Sequence, residues 1–450
     1  MRKSIFLSII AIVSLAALVG CARGKSAPAP SDEFVRVRDG KFYIGDSATP
    51  YIYIGTNFWY GAILGSEGRG GDRARLAREL DTLQSLGVTN LRVLAGGDGD
   101  ENVPSHIMPV LQTAPGVYND TILDGLDYLM AELERRGMKA VLYLNNAWEW
   151  SGGYGTYLEW AGEGPTPNPA IDGYDRYMAH VARFVRSDSA KALAARHVRH
   201  MVGRTNRYTG RPYTESPALM AWQIANEPRA FAADSVTKAA FAAWIAEQAA
   251  LIKSIDRNHL VSTGSEGMHG CEGDMALWAQ IHSDPNIDYG ILHLWPYNWG
   301  WVRPDSLGAD VDSACVKARR YIVGHAEAIA PAGKPLVLEE FGFPRDGMAT
   351  APGSPTEARD RFYTYIFSLV GDSTTALGGC NFWGWGGEAI PAHERWEPYD
   401  QYTGDPAQEP QGLNSVFSCD TTTLRIIRQH TIPTPKTDNK PTRKKFHRPS

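Results

Sequence analysis

Eight short apolar or β-branched runs alternate along this sequence with longer segments of helical periodicity, and few folds can absorb that pattern. The runs are Tyr51–Thr56, Val88–Leu94, Met138–Leu144, Ala218–Ala225, His259–Thr263, Asp288–Leu294, Pro335–Glu340 and Gly379–Trp383. Several are apolar at consecutive positions, as strands covered on both faces are. Between them, Asp72–Leu86 lines up Leu76, Leu80 and Leu83 before Gly87, and Ile122–Arg136 lines up Leu126, Leu129 and Leu133 before Gly137. A glycine just past an apolar helical stripe is a stop signal. Tyr174–Tyr208, Val236–Ile255, Asp312–Ile329 and Thr356–Leu369 continue the series. Strands that alternate with helices pair in parallel through right-handed crossovers. Eight such units predict an α/β chain closed into a (β/α)8 (TIM) barrel. The competing open, doubly wound sheet usually carries a glycine fingerprint after its first strand. Here Gly55-Thr56-Asn57-Phe58-Trp59-Tyr60 puts bulky aromatics where phosphates would need bare backbone.

The chain has 450 residues, which at about 150 residues per domain suggests three domains. The barrel reading leaves one, over residues 34–430, with the excess length in βα loops. The ends are set apart from it. Residues 1–21 read as a signal peptide: Arg2 and Lys3, then the largely apolar run Ile5–Val19, then Leu18-Val19-Gly20-Cys21. The run is short for a bilayer span, and a Cys after Leu-Val-Gly resembles the bacterial lipobox, which makes Cys21 the lipidated first residue of the mature chain. Residues 22–33 form a Pro/Ala/Ser tether. Residues 431–450 hold six basic residues against one acid, Asp438, and read as a solvated basic tail. The expectation is a lipoprotein of the cell envelope, in contact with the membrane through its anchor only. An overall charge of −5 gives no basic excess for nucleic acid. Cys271, Cys315, Cys380 and Cys419 are too widely spaced for a zinc site, and three disulfide connectivities remain open. His197 and His200 lack a third ligand, so no metal and no cofactor are expected.

A barrel carries its function at the C-terminal ends of its strands. Those ends hold Asn57, Trp59 and Tyr60 at strand one and Arg92 at strand two. Asn145, Asn146, Trp148 and Trp150 follow at strand three, and Asn226-Glu227-Pro228-Arg229 at strand four. Glu266 follows strand five, His293-Leu294-Trp295-Pro296 with Trp299 ends strand six, Glu339-Glu340-Phe341-Gly342 ends strand seven, and Trp383-Gly384-Trp385 ends strand eight. Strands four and seven face each other across such a barrel. Their carboxylates suit glycoside hydrolysis, in which one carboxyl protonates the leaving oxygen and the other attacks or activates water. With 13 Trp and 20 Tyr, flat faces for stacking on pyranose rings are abundant.

Asn-Glu-Pro after strand four and Glu-Phe-Gly after strand seven resemble glycoside hydrolase family 5, retaining enzymes on this barrel. Asn226-Glu227-Pro228-Arg229 and His293-Leu294-Trp295-Pro296-Tyr297-Asn298-Trp299 resemble its β-mannanase branch. The resemblance covers roughly residues 34–430. It implies an endo-acting hydrolase of β-1,4-mannosidic bonds, a monomer acting on β-mannan or manno-oligosaccharides. Glu340 would be the nucleophile and Glu227 the acid/base. Glu339 competes with Glu340, but successive strand residues point to opposite sides, so one of the two faces the site and the Glu-Phe-Gly pattern selects Glu340. Arg92 would hold the nucleophile ionised, Asn226 would bond the sugar 2-hydroxyl, and His293 would line the central subsite. Trp383 would floor it, with Trp59, Trp148, Trp295 and Trp299 as further sugar contacts. Arg229 and Glu266 would anchor loops or line outer subsites. The match departs from the pattern in one place. Trp295 stands where family members often carry the tyrosine of His-x-Tyr, which removes a hydroxyl expected to bond the nucleophile. Trp148-Glu149-Trp150-Ser151-Gly152-Gly153 resembles a relative that trims mannose from chain ends, so exo action stays an alternative. β-Glucan cleavage and glycan capture without cleavage are more distant ones.

Overall fold

The computed structural model describes residues 33–431. The signal, Cys21 lipidation and nearly all of the tether and tail expectations lie outside the described residues. Eight parallel strands form the central sheet: Tyr53–Asn57, Asn90–Leu94, Lys139–Tyr143, Leu219–Gln223, Leu260–Ser262, Gly290–Leu294, Leu336–Phe341 and Leu377–Phe382. Strand one pairs with both strand two and strand eight, as closure requires. Strands five and six share no ladder. Their gap is bridged at Asp288, whose N–H donates to Val261 O at 2.9 Å and whose carboxylate accepts from the Val261 N–H at 2.6 Å. All eight expected strands are present within a few residues of their expected ends.

The strand period of two sorts side chains into two cores. Leu91, Val93, Ala140, Leu142, Leu292, Leu336 and Leu338 face the surrounding helices. Tyr53, Val141, Ala221, Ile291 and Val337 fill the barrel interior. A hairpin that the sequence pattern did not reveal, Val35–Arg38 paired with Lys41–Ile44, adds Val35 and Phe42 to that interior. It plugs the end opposite the functional rim. Gly379 has a packing reason to be glycine: a Cβ there would lie 2.4 Å from the Tyr53 ring.

The helices form where caps and stripes coincide. Asp72 accepts the Arg75 N–H and starts helix Arg73–Ser85. Gly137, in the left-handed conformation, ends helix Asp120–Arg136. The expected single helix over 174–208 is a correction. It is broken into Tyr174–Val181, a 3-10 turn Phe184–Arg186, and Asp188–Val202. Ser187 caps the last piece through the Ala190 N–H, so a local hydroxyl cap competes with continuation. The four cysteines are free thiols, three of them buried.

The segment after strand eight, residues 384–420, crosses the rim as a long loop. Two buried arginines fasten it. Arg345 makes a two-pronged ion pair with Asp420, both nearly without solvent contact, and donates to the carbonyls of Gly412 and Ser415. Arg359 donates to the carbonyls of Phe343, Leu413 and Ser415. Asp405 closes the loop on itself, accepting from the N–H groups of Gly412, Asn414 and Ser415. Breaking a buried pair leaves an uncompensated charge. Asp420→Ala is therefore expected to destabilise the protein by about 3–5 kcal/mol in denaturant unfolding, whereas Arg78→Ala, which breaks an exposed pair with Glu388, is expected to leave the unfolding midpoint nearly unchanged.

Candidate active site

The strand ends deliver two glutamates to one cavity. Glu340 ends the inward row of strand seven and is 2% exposed. Its presence beside Glu339 inside the barrel corrects the expectation from strict alternation. Leu292 pairs with Leu338 and His293 with Glu340, so Glu339 is an extra residue in the ladder. A β-bulge of this kind turns two successive side chains to the same side. Glu339 lies one layer below, fully buried, bonded to the Gln223 side chain and 3.4 Å from Arg92. Glu340 alone of the two lines the cavity.

Glu227 comes off strand four with φ of 46°. That left-handed conformation is unfavourable for a residue with a Cβ, and neighbouring strands hold it. The Asn226 N–H donates to Asn145 O at 2.8 Å and the Glu227 N–H to Gly264 O at 3.0 Å. The turn aims the carboxyl at strand seven. Oxygens of Glu227 and Glu340 and a ring nitrogen of His293 all lie within 4.8 Å of one another. A metal ion could bridge atoms so spaced; here the cation beside them is a guanidinium. Arg92 bonds Glu340, and also donates to Gln223 Oε1 at 2.8 Å, Asn57 Oδ1 at 3.1 Å and Asn226 Oδ1 at 2.9 Å. Asn226 in turn donates to Asn146 Oδ1 at 3.1 Å.

Each carboxyl has its own partners. Glu227 accepts from the Trp148 indole N–H at 2.6 Å and lies 2.9 Å from His293 Nδ1. Glu340 accepts from the Trp295 indole N–H at 3.3 Å. Trp295 thus supplies the bond that the missing tyrosine hydroxyl would have made. Burial pushes both glutamates above the ordinary carboxyl range, opposed by Arg92 at Glu340 and by Arg229, then Trp148 and Arg92, at Glu227. Two such carboxyls share one proton. Arg92 touches Glu340, so the negative charge settles there and the proton on Glu227. His293 is held well below its usual range by burial, then by Arg92, and stays neutral.

The cavity measures about 400 Å³ and is lined by Trp148, Asn226, Trp295, Trp299 and Trp383 as well as the two glutamates. Arg92 and His293 lie behind the carboxyls and are fully buried. Trp59 is a correction: it is 1% exposed, donates to Gly404 O at 3.0 Å and packs on Trp150 and Tyr402. It supports the long loop from below and does not line the cavity. Arg229 pairs with Glu266 and lies over the Trp148 ring, so these two anchor a wall that Glu266 and Arg229 also line. Sequence reasoning missed Tyr174, Met178, Pro406, Gln408 and Glu409, which line the cavity together with Trp150 and Asn298. Pro406, Gln408 and Glu409 lie in a loop with no periodic pattern, and Tyr174 opens a helix that looked merely structural. Glu149, within the aromatic motif of strand three, was the one signal available. A roomier groove of about 1020 Å³ between outer helices has one aromatic ring, Tyr365, and lacks the glutamate pair.

Known proteins match this chain along its length. A family model described as "GH family 5 beta-mannosidase-like" matches residues 32–439. A glycoside hydrolase family 5 mannosidase from Rhizomucor miehei superposes with a TM-score of 0.80 at 33% identity, over 89% of this chain and 97% of that one. A putative mannan endo-1,4-beta-mannosidase P from Arabidopsis thaliana is 30% identical over 85% of this chain and 89% of its own. A putative mannan endo-1,4-beta-mannosidase 9 from Oryza sativa subsp. japonica is 28% identical over 82% and 85%. With a barrel fold, a glutamate pair at strands four and seven and a match over nearly all the described residues, the chain belongs to glycoside hydrolase family 5, among its β-mannosidase-like members.

Proposed function

We propose that this protein hydrolyses β-1,4-mannosidic bonds of mannan with retention of configuration, cutting within the chain. The observation that carries the mechanism is the bonding of Arg92 to Glu340 within 4.8 Å reach of Glu227. Retaining glycosidases hold their carboxyls about 5–5.5 Å apart. Glu340 attacks the anomeric carbon while Glu227 gives its proton to the departing glycosidic oxygen. The C–O bond breaks and a glycosyl ester of Glu340 forms. The ester removes the charge that kept Glu227 protonated, so Glu227 is free to take a proton from water as that water attacks the same carbon. Glu340 is released as carboxylate. Asn226, oriented by Arg92 and Asn146, has a second amide N–H for the sugar 2-hydroxyl, which is axial in mannose. Trp383, 4% exposed, supplies an apolar floor.

Endo action agrees with the names of the plant relatives. A second reading, removal of mannose from chain ends, draws on the wall that Glu149, Pro406 and Glu409 raise along the cavity and on the likeness to the Rhizomucor mannosidase. We further propose that Cys21 carries lipid and holds a monomeric enzyme at the cell envelope.

Glu340→Ala is expected to lower kcat on mannan by more than about 10³-fold. Glu227→Ala should lose about 10²–10⁴-fold on mannan but far less on 2,4-dinitrophenyl β-mannoside, whose leaving group needs no proton. The wild-type pH profile should be bell-shaped: acid protonates Glu340 and base strips Glu227, both with pKa values raised by burial. Glu227→Ala should keep the acid limb and lose the alkaline one, and azide should restore its turnover as β-mannosyl azide. Early products from mannohexaose separate the two modes: oligosaccharides of two to four units are expected, and mannose alone would establish chain-end action. Cys21→Ser is expected to move the protein from the membrane to the soluble fraction and to abolish labelling by radioactive palmitate.

A further inference from the structure

Arg92 meets a second carboxylate besides the nucleophile. Glu339 occupies the extra place in the strand-seven ladder, without solvent contact and outside the cavity lining. Two side chains tie it to the guanidinium. Gln223 accepts from Arg92 Nε at 2.8 Å and donates to Glu339 Oε2. Asn57 accepts from Arg92 Nη1 at 3.1 Å and donates to the Glu339 carbonyl at 2.9 Å. Glu339 Oε2 itself lies 3.4 Å from Arg92 Nε, while Nη1 of the same guanidinium bonds Glu340. One cation thus stands between the carboxylates of two successive residues. The arrangement is costly for folding. The barrel interior around it is filled by Val337, Ile291 and Ala221, and an apolar side chain of similar volume would take the place of Glu339 without desolvating a charge.

We propose that Glu339 is a positioning residue for the reaction: from behind Arg92 it takes up part of the guanidinium's charge and so sets how tightly Glu340 is held as a carboxylate. The proposal rests on the double-displacement reading above and deepens it. With Glu340 as its one counter-charge, Arg92 would bind the nucleophile more firmly and blunt its attack. A second carboxylate loosens that hold, and its negative charge also helps to keep the proton on Glu227. The other groups around Glu339 leave this balance alone. Burial pushes Tyr53 on strand one and Tyr289 before strand six well above the usual phenol range. It also raises the Cys380 thiol on strand eight and Tyr143 of strand three, whose ring lies under the guanidinium. Ser262 on strand five accepts from Gln223 at 3.1 Å and is neutral, as is His293 on strand six, 3.4 Å from Glu340. Burial raises Glu339 itself, and Arg92 and the Gln223 bond oppose it.

The test follows the acid limb of kcat/KM on 2,4-dinitrophenyl β-mannoside, which reads the ionisation of Glu340. Removing a like charge favours the ionised form, so Glu340 should titrate at lower pH. The limb is expected about 1 pH unit lower in Glu339→Gln, and the alkaline limb on mannan, set by Glu227, should move the same way by less. Glu339→Met, of similar volume and needing no partner, should give the same shift where the amide variant does not fold. Glu339→Asp, which keeps the charge, should stay near wild type. A limb unmoved in the charge-removing variants, or moved as far in Glu339→Asp, overturns the proposal, since lost packing alone lowers the melting temperature and leaves the limb in place. Carbon-13 NMR of protein labelled at the glutamate carboxyls gives a readout free of turnover. The wild-type resonance that Glu339→Asp loses should be that of an ionised carboxylate at neutral pH. The resonance that Glu340→Gln loses should titrate at lower pH in Glu339→Gln than in wild type. A protonated Glu339 at neutral pH overturns the proposal. A wild-type enzyme inactive on the mannoside overturns the hydrolase reading instead, and the two resonances still decide what Glu339 does.

Discussion

One guanidinium without solvent contact, that of Arg92, organises the whole rim. A buried charge is tolerated only when it is paired and its donors are used. Arg92 uses them on Glu340, Gln223, Asn57 and Asn226, and stacks its cation 4.4 Å over the Tyr143 ring. Glu339 adds a second negative charge 3.4 Å away. Strands one, two, four and seven are thereby joined by a single side chain at the level where the chemistry takes place. The same contacts decide which carboxyl is ionised. With Arg92 on Glu340, the shared proton belongs on Glu227, where Trp148 and His293 hold the carboxyl in position. The charge distribution that a retaining mechanism needs is thus built in before substrate arrives.

Much of this was readable from the order of residues. The eight strands follow from apolar runs between helical stripes, and the ends of strands four and seven carry Glu227 and Glu340 at sites that any barrel directs to one rim. Two of the features that were not readable have distinct physical causes. The placing of Glu339 and Glu340 both inside depends on a bulge, and a bulge is a property of the pairing of two strands, here Leu292–Leu338 followed by His293–Glu340. No pattern within strand seven announces it. Trp59 was misplaced for a different reason. An indole buried under a loop and an indole facing a sugar look alike in sequence, and only the donation to Gly404 O separates them.

The length of the chain found its explanation in the loop after strand eight. Residues 384–420 have little regular structure, so no periodicity foretold their role. They are fixed by Arg345, Arg359, Asp405 and Asp420. Those ion pairs and backbone bonds bring Pro406, Gln408 and Glu409 to the cavity. The wall that could shape chain-end preference is therefore held by residues far from the glutamates, and its stiffness comes from buried arginines, not from the barrel itself. Trp295 illustrates the same economy at the centre, where an indole N–H reaches Glu340 from the end of strand six.

The central claim is that Glu340, held ionised by Arg92, attacks the anomeric carbon directly. Proton NMR of the first sugar released from a mannoside tests it before mutarotation intervenes. Two displacements at one carbon predict that the β-anomer appears first and the α-anomer grows in later. Initial release of the α-anomer would mean a single displacement by water, and would contradict the account.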